Sequence, residues 1–466
     1  MLNIDKNSAV PVYEQIYRQL KEQIIDGELP SGSRLSATRT LAADYHISRN
    51  TVLTAYQQLE SEGFIYSKVG SGFYVEDLPE IDNSAARETI QSETEDEDHD
   101  VRYDFRYGNI EPNIYGTRSF RKALKDALSE LELKTSLSDS DPRGYLSLRQ
   151  ALAEHLLKVR GVVASVDQII ITCGHHYSLK MISEFFPREE YRFIMEEPGH
   201  QDTREVFLST GYHIDPIRLD ENGIQVNRLS RTRKALAYVT PSHQFPLGYI
   251  LPFSRRIKLL EWAQETDSYI IEDDYDSELR YKERPIPSLH SLDRNDRVIY
   301  LGSFSKSLSP DLRISYIVFP RKMKIEQLAV HPLLNSSSPA LIQLTLEKYL
   351  RSGEYLKRIN QVRNSFRRKH NLIIDFLKKN YPEQIKIYGS GGGTHFILEL
   401  DTKMSQKQLI ERFKKNDVGV YPTKGFWADQ SQSHENRIMI GYAGIPEDQI
   451  EEYLERLKTV IDEVLS

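Results

Sequence analysis

Apolar residues at Ile16, Leu20, Ile24 and Ile25 recur at helical spacing between Val12 and Ile25, which predicts an amphipathic helix ended by Gly27. A loop with Pro30 and Gly32 follows. Ser36 is then expected to cap a short helix through Leu41 to Tyr45, and His46-Ile47 to make a turn. Ser48 is expected to cap a third helix through Val52, Tyr56 and Leu59, which Gly63 stops. Phe64-Ile65-Tyr66 and Phe73-Tyr74-Val75 read as two strands joined by a turn containing Gly70 and Gly72. Much further on, the short apolar run Tyr269-Ile270-Ile271 ends in Glu272-Asp273-Asp274-Tyr275-Asp276, the pattern of a buried strand that delivers acids to its carboxyl end.

Pro79 to Asp100 separates these two regions. It is rich in Glu, Asp, Ser, Thr and Ala, with an acidic run at Glu93 to Asp100. Such a stretch buries too little apolar surface to order itself, so residues 79–101 read as an acidic, flexible linker between an N-terminal domain, 1–78, and a C-terminal one, 102–466. A chain of 466 residues with 39% hydrophobic content is long enough for this plan. The single Cys173 rules out an internal disulfide framework and suits a cytoplasmic location. No apolar run is long enough to span a bilayer, so no membrane partner is expected.

Three helices with a tight turn and a hairpin make a winged helix-turn-helix, mainly α with a β wing, whose third helix enters the major groove of double-stranded DNA. Ser48, Arg49, Asn50 and Thr51 stand at the start of that helix; Arg34, Ser36 and Arg39 flank the one before it; Lys68 and Gly72 lie on the wing. Arg49 is the candidate base reader, since an arginine donates two bonds to one guanine edge. Asn50 could read adenine, and the others suit phosphates. Acidic residues slightly outnumber basic ones in this domain, so only a local cluster of cations can face DNA.

In the C-terminal domain the richest chemistry lies at Ser303-Phe304-Ser305-Lys306, followed by Arg313. A lysine amine can form a Schiff base with an aldehyde, while two hydroxyls and a guanidinium can hold a phosphate. Asp273 can face a pyridine nitrogen and keep it protonated, and Tyr275 can bond the ring's phenolic oxygen. His175 and His176 are adjacent, and adjacent residues seldom converge on one ion, so no metal is expected.

These residues carry a resemblance to fold type I aminotransferases, which use pyridoxal 5′-phosphate (PLP). The landmarks run in family order: Asp141-Pro142-Arg143-Gly144-Tyr145, Gln168 to Gly174, Glu197-Pro198-Gly199, Pro241 to Gly248, Glu272 to Tyr275, Gly302 to Arg313, and Asn436-Arg437-Ile438. The resemblance implies an α/β transferase fold with large and small subdomains, PLP on Lys306, and Arg437 clamping a ligand carboxylate. It also places His175, His176 and His200 at cofactor contacts where the family commonly has other residues. Asp139 stands where a tyrosine reaching the partner's phosphate is common, and the asparagine of Asn-Pro-x-Gly is missing from Gln244 to Gly248.

Leu35 to Ala42, Ile47 to Val52, Glu62-Gly63-Phe64 and Gly70-Ser71-Gly72 resemble the GntR family of DNA-binding domains. A GntR head joined to an aminotransferase-like domain is the arrangement of the MocR, or GabR-like, regulators. That resemblance implies a PLP-dependent transcriptional regulator binding operator DNA as a homodimer that exchanges heads between subunits. It would sense PLP, or an amino compound that forms an external aldimine with it. The altered cofactor contacts imply absent or vestigial transamination; a working aminotransferase with an accessory head is the alternative.

Overall fold

The computed structural model describes residues 2–6, 8, 10–77, 101–110, 115–133, 141–281, 286–323 and 338–466. The chain divides into two compact units, Met1–His99 and Asp100–Ser466. Pro79 to Asp100, expected to be a linker, and Asp139 lie outside the described residues.

In the first unit, helices Val12–Ile25, Thr38–Asp44 and Arg49–Ser61 close over one core that includes Ile16, Leu20, Leu41, Val52, Tyr56 and Leu59. Each fully buried aliphatic side chain contributes about 1.5–3 kcal/mol. Ile25 departs from the expected buried row and is exposed. At 3.6 residues per turn it lies a full step round the helix from Ile24, off the Ile16–Leu20–Ile24 stripe.

Ser48 caps the third helix as expected, accepting the Thr51 amide at 3.1 Å. Ser36 caps nothing. The second helix begins at Thr38 behind Ala37 with no side-chain cap, so Ser36 stands one residue too early to reach its first amides. The Ser36 carbonyl instead accepts the Tyr56 hydroxyl at 2.9 Å. Gly63 takes φ 77°, a left-handed turn that lets the Phe64 amide bond back to Leu59 and ends the third helix. The wing is an antiparallel hairpin, Ile65–Lys68 with Gly72–Val75, and Tyr66 opposes Tyr74.

The second unit is built on an eight-stranded sheet. In spatial order its strands are Ile169–Thr172, Ser315–Val318, Val298–Ser303, Tyr269–Asp273, Ala235–Val239, Arg192–Glu197, Ile214–Asp220 and Gly223–Ile224. The central pairings are parallel; Ser315–Val318 runs antiparallel to both of its neighbours. Burial on both faces explains their near-continuous apolar runs, such as Ile169-Ile170-Ile171. A second, antiparallel sheet of Ile385–Tyr388, His395–Leu400, Arg437–Gly441 and Tyr421–Pro422 packs against the end of the 27-residue helix Glu354–Asn380 and the C-terminal helix Ile450–Leu465. Among the described residues, no helix is long and apolar enough to cross a membrane.

The Asp141–Tyr145 landmark has a packing role. Gly144 has φ 100°, and a β-carbon there would lie 2.6 Å from Ile171 Cγ1, so the loop can lie flat on the strand, where Arg143 accepts the Ile171 amide. Buried Arg149 ties the loop down through Gly144 O, Val166 O and the Asp141 carboxylate.

Candidate functional site

Parallel strands bring their carboxyl ends to one edge of the sheet, and the predicted residues gather there. Thr172 leads to Gly174 and His175, Glu197 to His200, Val239 to His243, Asp273 ends its own strand, and Ser303 leads to Lys306. The antiparallel strand Ser315–Val318 starts at the same edge, which returns Arg313 to it.

Lys306 is the centre of this group. Burial pushes its ammonium down to about 8, against the upward pull of the Asp276 carboxylate. Its Nζ lies 4.1 Å from the centroid of the Tyr107 ring. Tyr107 in turn packs edge-on against His395 and beside Phe245.

Asp273 is 3% exposed, and one of its oxygens is fully engaged. Oδ2 accepts the Tyr238 hydroxyl and faces His175 Nε2 at 2.8 Å. Oδ1 is buried with no hydrogen-bond partner among the described residues. A buried acceptor left bare costs roughly 1–3 kcal/mol, so it suits a donor brought by a ligand. The neighbouring acids do other work. Glu272 accepts the amides of Leu289 and His290, both at 2.8 Å, at the start of helix Leu289–Leu292. Asp274 meets Arg160 at 2.6 Å, and Asp276 meets His243 Nδ1 at 2.7 Å.

The phosphate candidates stand close together in the fold. Ser303 Oγ bonds Ser305 Oγ at 3.0 Å and accepts the Ser305 amide at 3.1 Å. Arg313, in left-handed backbone, lays its guanidinium on Gly174, where a β-carbon would sit 2.9 Å from Nη2. Gly174 precedes helix His175–Phe185, whose first amides point at the same place. Cation, hydroxyls and free amides together form an anion cradle.

The two adjacent histidines separate as the helix turns. His175 reaches Asp273, whereas His176 lies outside near Asp202, which raises its pKa. His200 is half-buried, 5.8 Å from the His175 ring and 4.8 Å from Phe245, and loss of solvent pushes it down to about 4. A neutral imidazole at this position offers a flat face to a ring. Tyr275 donates to the His243 carbonyl at 3.1 Å.

Arg437 stands somewhat apart. Its Nε bonds Glu399 at 2.7 Å and its guanidinium lies 4.5 Å from the Tyr388 ring centroid, in a cleft of about 690 Å³ that Glu197, Arg218, Trp427 and His434 also line. The residue of the same strand that packs with Tyr107, Phe245 and Tyr275 is Met439. Sequence reasoning missed Tyr107, Tyr238, His243, His395 and Met439. Apart from His243, inside the Pro241 to Gly248 landmark, none of them belongs to a local motif.

In the first unit, Arg39, Arg49 and Asn50 are exposed, and Arg49 Nε lies 3.4 Å from Thr38 Oγ1 at the start of the preceding helix. Ser48 and Thr51 are engaged in the cap. Arg34 pairs with Tyr74 and packs on Gly72, where a β-carbon would meet its Nε at 3.4 Å. Lys68 sits over the stacked rings of Tyr66 and Tyr74. Arg34, Lys68 and Gly72 are therefore brought together on the wing.

Comparison with known proteins agrees with both units. Residues 12–75 match the bacterial regulatory proteins of the gntR family, and residues 111–457 match aminotransferase class I and II. The HTH-type transcriptional regulator YdeL of Bacillus subtilis is 35% identical over 98% of either chain. The rhizopine catabolism regulatory protein MocR of Rhizobium meliloti is 28% identical, covering 98% of this chain and 95% of that one. Among solved structures, Pyrococcus horikoshii kynurenine aminotransferase shares 26% identity with a TM-score of 0.69, over 86% of this chain and 98% of its own.

Proposed function

The chain belongs to the family of HTH-type transcriptional regulators that join a GntR head to an aminotransferase class I and II domain, and from that premise we propose a PLP-dependent homodimer that binds operator DNA in the cytoplasm and senses PLP or an amine. The observation that carries this reading is the convergence on one sheet edge of half-buried Lys306, the bare Oδ1 of Asp273, and the Arg313–Gly174 cradle.

Those residues fit the cofactor. Lys306 would hold its aldehyde carbon; Ser303, Ser305, Arg313 and the amides after Gly174 its phosphate; Asp273 its ring nitrogen; and His200 the ring face. Bound there, PLP supplies an electrophilic carbon that an incoming amine can take from Lys306. Burial makes Lys306 a better nucleophile near neutral pH, because more of it is unprotonated. Tyr107 lays its ring against Nζ. His175 and Tyr238 hold Asp273 so that Oδ1 is the oxygen presented. A ligand carboxylate reaching Arg437 would have to compete with Glu399 for the guanidinium.

Ligand can alter DNA binding only by favouring one arrangement of the unit over another. A shift from 1:99 to 99:1 needs a preference of about 5.5 kcal/mol. The test is borohydride reduction of protein purified with PLP, followed by peptide mass spectrometry. A phosphopyridoxyl adduct on Lys306 is expected, and its absence there ends the proposal. Conversion of the bound cofactor to pyridoxamine phosphate at enzymic rates with an amino acid would instead favour the aminotransferase alternative, to which the intact Lys306, Asp273 and Arg313 set lends support.

A further inference from the structure

The DNA-binding head carries a deficit of positive charge. Between Met1 and Leu78, seven Lys and Arg stand against ten Asp and Glu, and the whole chain has a net charge of −7. Affinity for duplex DNA comes largely from cations that neutralise phosphates and release counterions. A head with net negative charge supplies few of them, so cations elsewhere in the chain gain importance.

They are concentrated on the helix Glu354–Asn380. Its 27 residues hold eight Lys and Arg against only Glu354 and Asp375. Lys357, Asn360, Asn364, Arg367, Asn371 and Lys378 follow one another at three-, four- and seven-residue steps, and all six are exposed, as is Asp375 between the last two. The opposite side, with Ile359, Val362, Phe366, Ile373 and Leu377, is buried. Asp375 aside, the stripe is made of cations and amides, the side chains that bond phosphate oxygens.

Two cations of this helix are held by carboxylates, Lys357 by Glu354 and Arg368 by Glu447. Arg363 and Arg367 bond only the amides of Asn360 and Asn364, and Arg367, Lys378 and Lys379 have no carboxylate partner among the described residues. Arg367 and Lys378 lie about 16 Å apart along the axis, at 1.5 Å per residue, which spans more than two phosphates of one strand.

We propose that the exposed face of helix Glu354–Asn380 is a second DNA surface, which holds the phosphates of duplex flanking the operator. The proposal rests on the regulator reading above. The head reads bases, and this helix supplies sequence-independent attraction. Its contribution is strongly salt-dependent and needs DNA longer than the sites the heads cover.

The experiment uses full-length protein and the DNA immediately upstream of its own coding sequence, as a long fragment of about 150 base pairs. Wild type is compared with the triple variant Arg367→Gln, Lys378→Gln, Lys379→Gln, by titration at several salt concentrations. The three exposed positions leave the fold intact, which circular dichroism and an unchanged PLP absorbance would verify. With a slope of about −0.9 per phosphate contact, the variant should lose two to three units of salt slope and about 10–100-fold in affinity at moderate salt. Its preference for that DNA over a scrambled fragment should be unchanged. Wild-type affinity and slope in the variant would overturn the proposal while leaving the regulator reading intact. A wild-type protein that binds no duplex at all would overturn both.

Discussion

The guanidinium of Arg313 lies across the α-carbon of Gly174, so close that a β-carbon would fall 2.9 Å from Nη2 and 3.1 Å from Cζ. Gly174 also has φ 110° and ψ 169°, a conformation that only glycine adopts without strain. Gly174→Ala therefore meets a backbone cost of about 1–3 kcal/mol together with displacement of the arginine. The expected outcome is a loss of about tenfold or more in PLP affinity with little change in fold, measured by titration of the apoprotein. Arg313→Gln should produce a similar loss without the backbone strain.

Lys306 predicts a pH dependence with a definite sign. A free lysine titrates at 10.5, whereas burial holds this one near 8, so below pH 8 it is protonated and cannot attack an aldehyde. Covalent incorporation of PLP into apoprotein should accelerate as pH rises to about 8 and level off above, followed by absorbance. Between pH 8 and 10.5 the unfolded chain binds the proton that the folded one has lost, so Lys306 makes stability rise with pH in that window. That rise should be missing from Lys306→Met.

Removing the acceptor of Asp273 strands its neighbours. In Asp273→Ala, the buried Tyr238 hydroxyl and His175 lose the oxygen they share. The expected result is a shifted visible band and weaker retention of PLP on dialysis. Asp273→Asn, which keeps the shape without the charge, should retain more cofactor than the alanine variant and still shift the band.

In the head, Arg49→Ala should weaken discrimination among operator variants by roughly 1–3 kcal/mol at one base pair, if its fork spans a guanine edge. Mobility shifts with a panel of single-base changes would locate the position. Ser48→Ala acts differently. It removes the cap on the Thr51 amide and should cost about 1 kcal/mol of stability, read by thermal melting of the head transition.

What could be read from the sequence was local. Lys306 with its flanking serines, the acid-tipped strand at Asp273 and the Ser48 cap each announce themselves within a few residues, because the chemistry and the backbone requirement coincide there. Ser36 failed for a related reason: a serine beside a helix start is a cap only in one register, and Ala37 occupies it. Tyr107 and His395 come to Lys306 from two segments far apart in the chain, and no spacing rule connects them. The Arg437–Glu399 pair is likewise a product of strand register, since Glu399 faces Arg437 only once the two strands are aligned.

Glu272 and Asp273 are adjacent on one strand and so project to opposite faces of the sheet, one to the amides of helix Leu289–Leu292 and the other to His175 and Tyr238. The strand thus works as a reading frame. Deleting one residue upstream within it would bring Asp273 to the helix-facing position and Asp274 to the pocket, away from Arg160. Two lesions would arise from a change that leaves the composition of the acidic tip untouched, so the alignment of this strand is heritable information in the same sense as the identity of its residues.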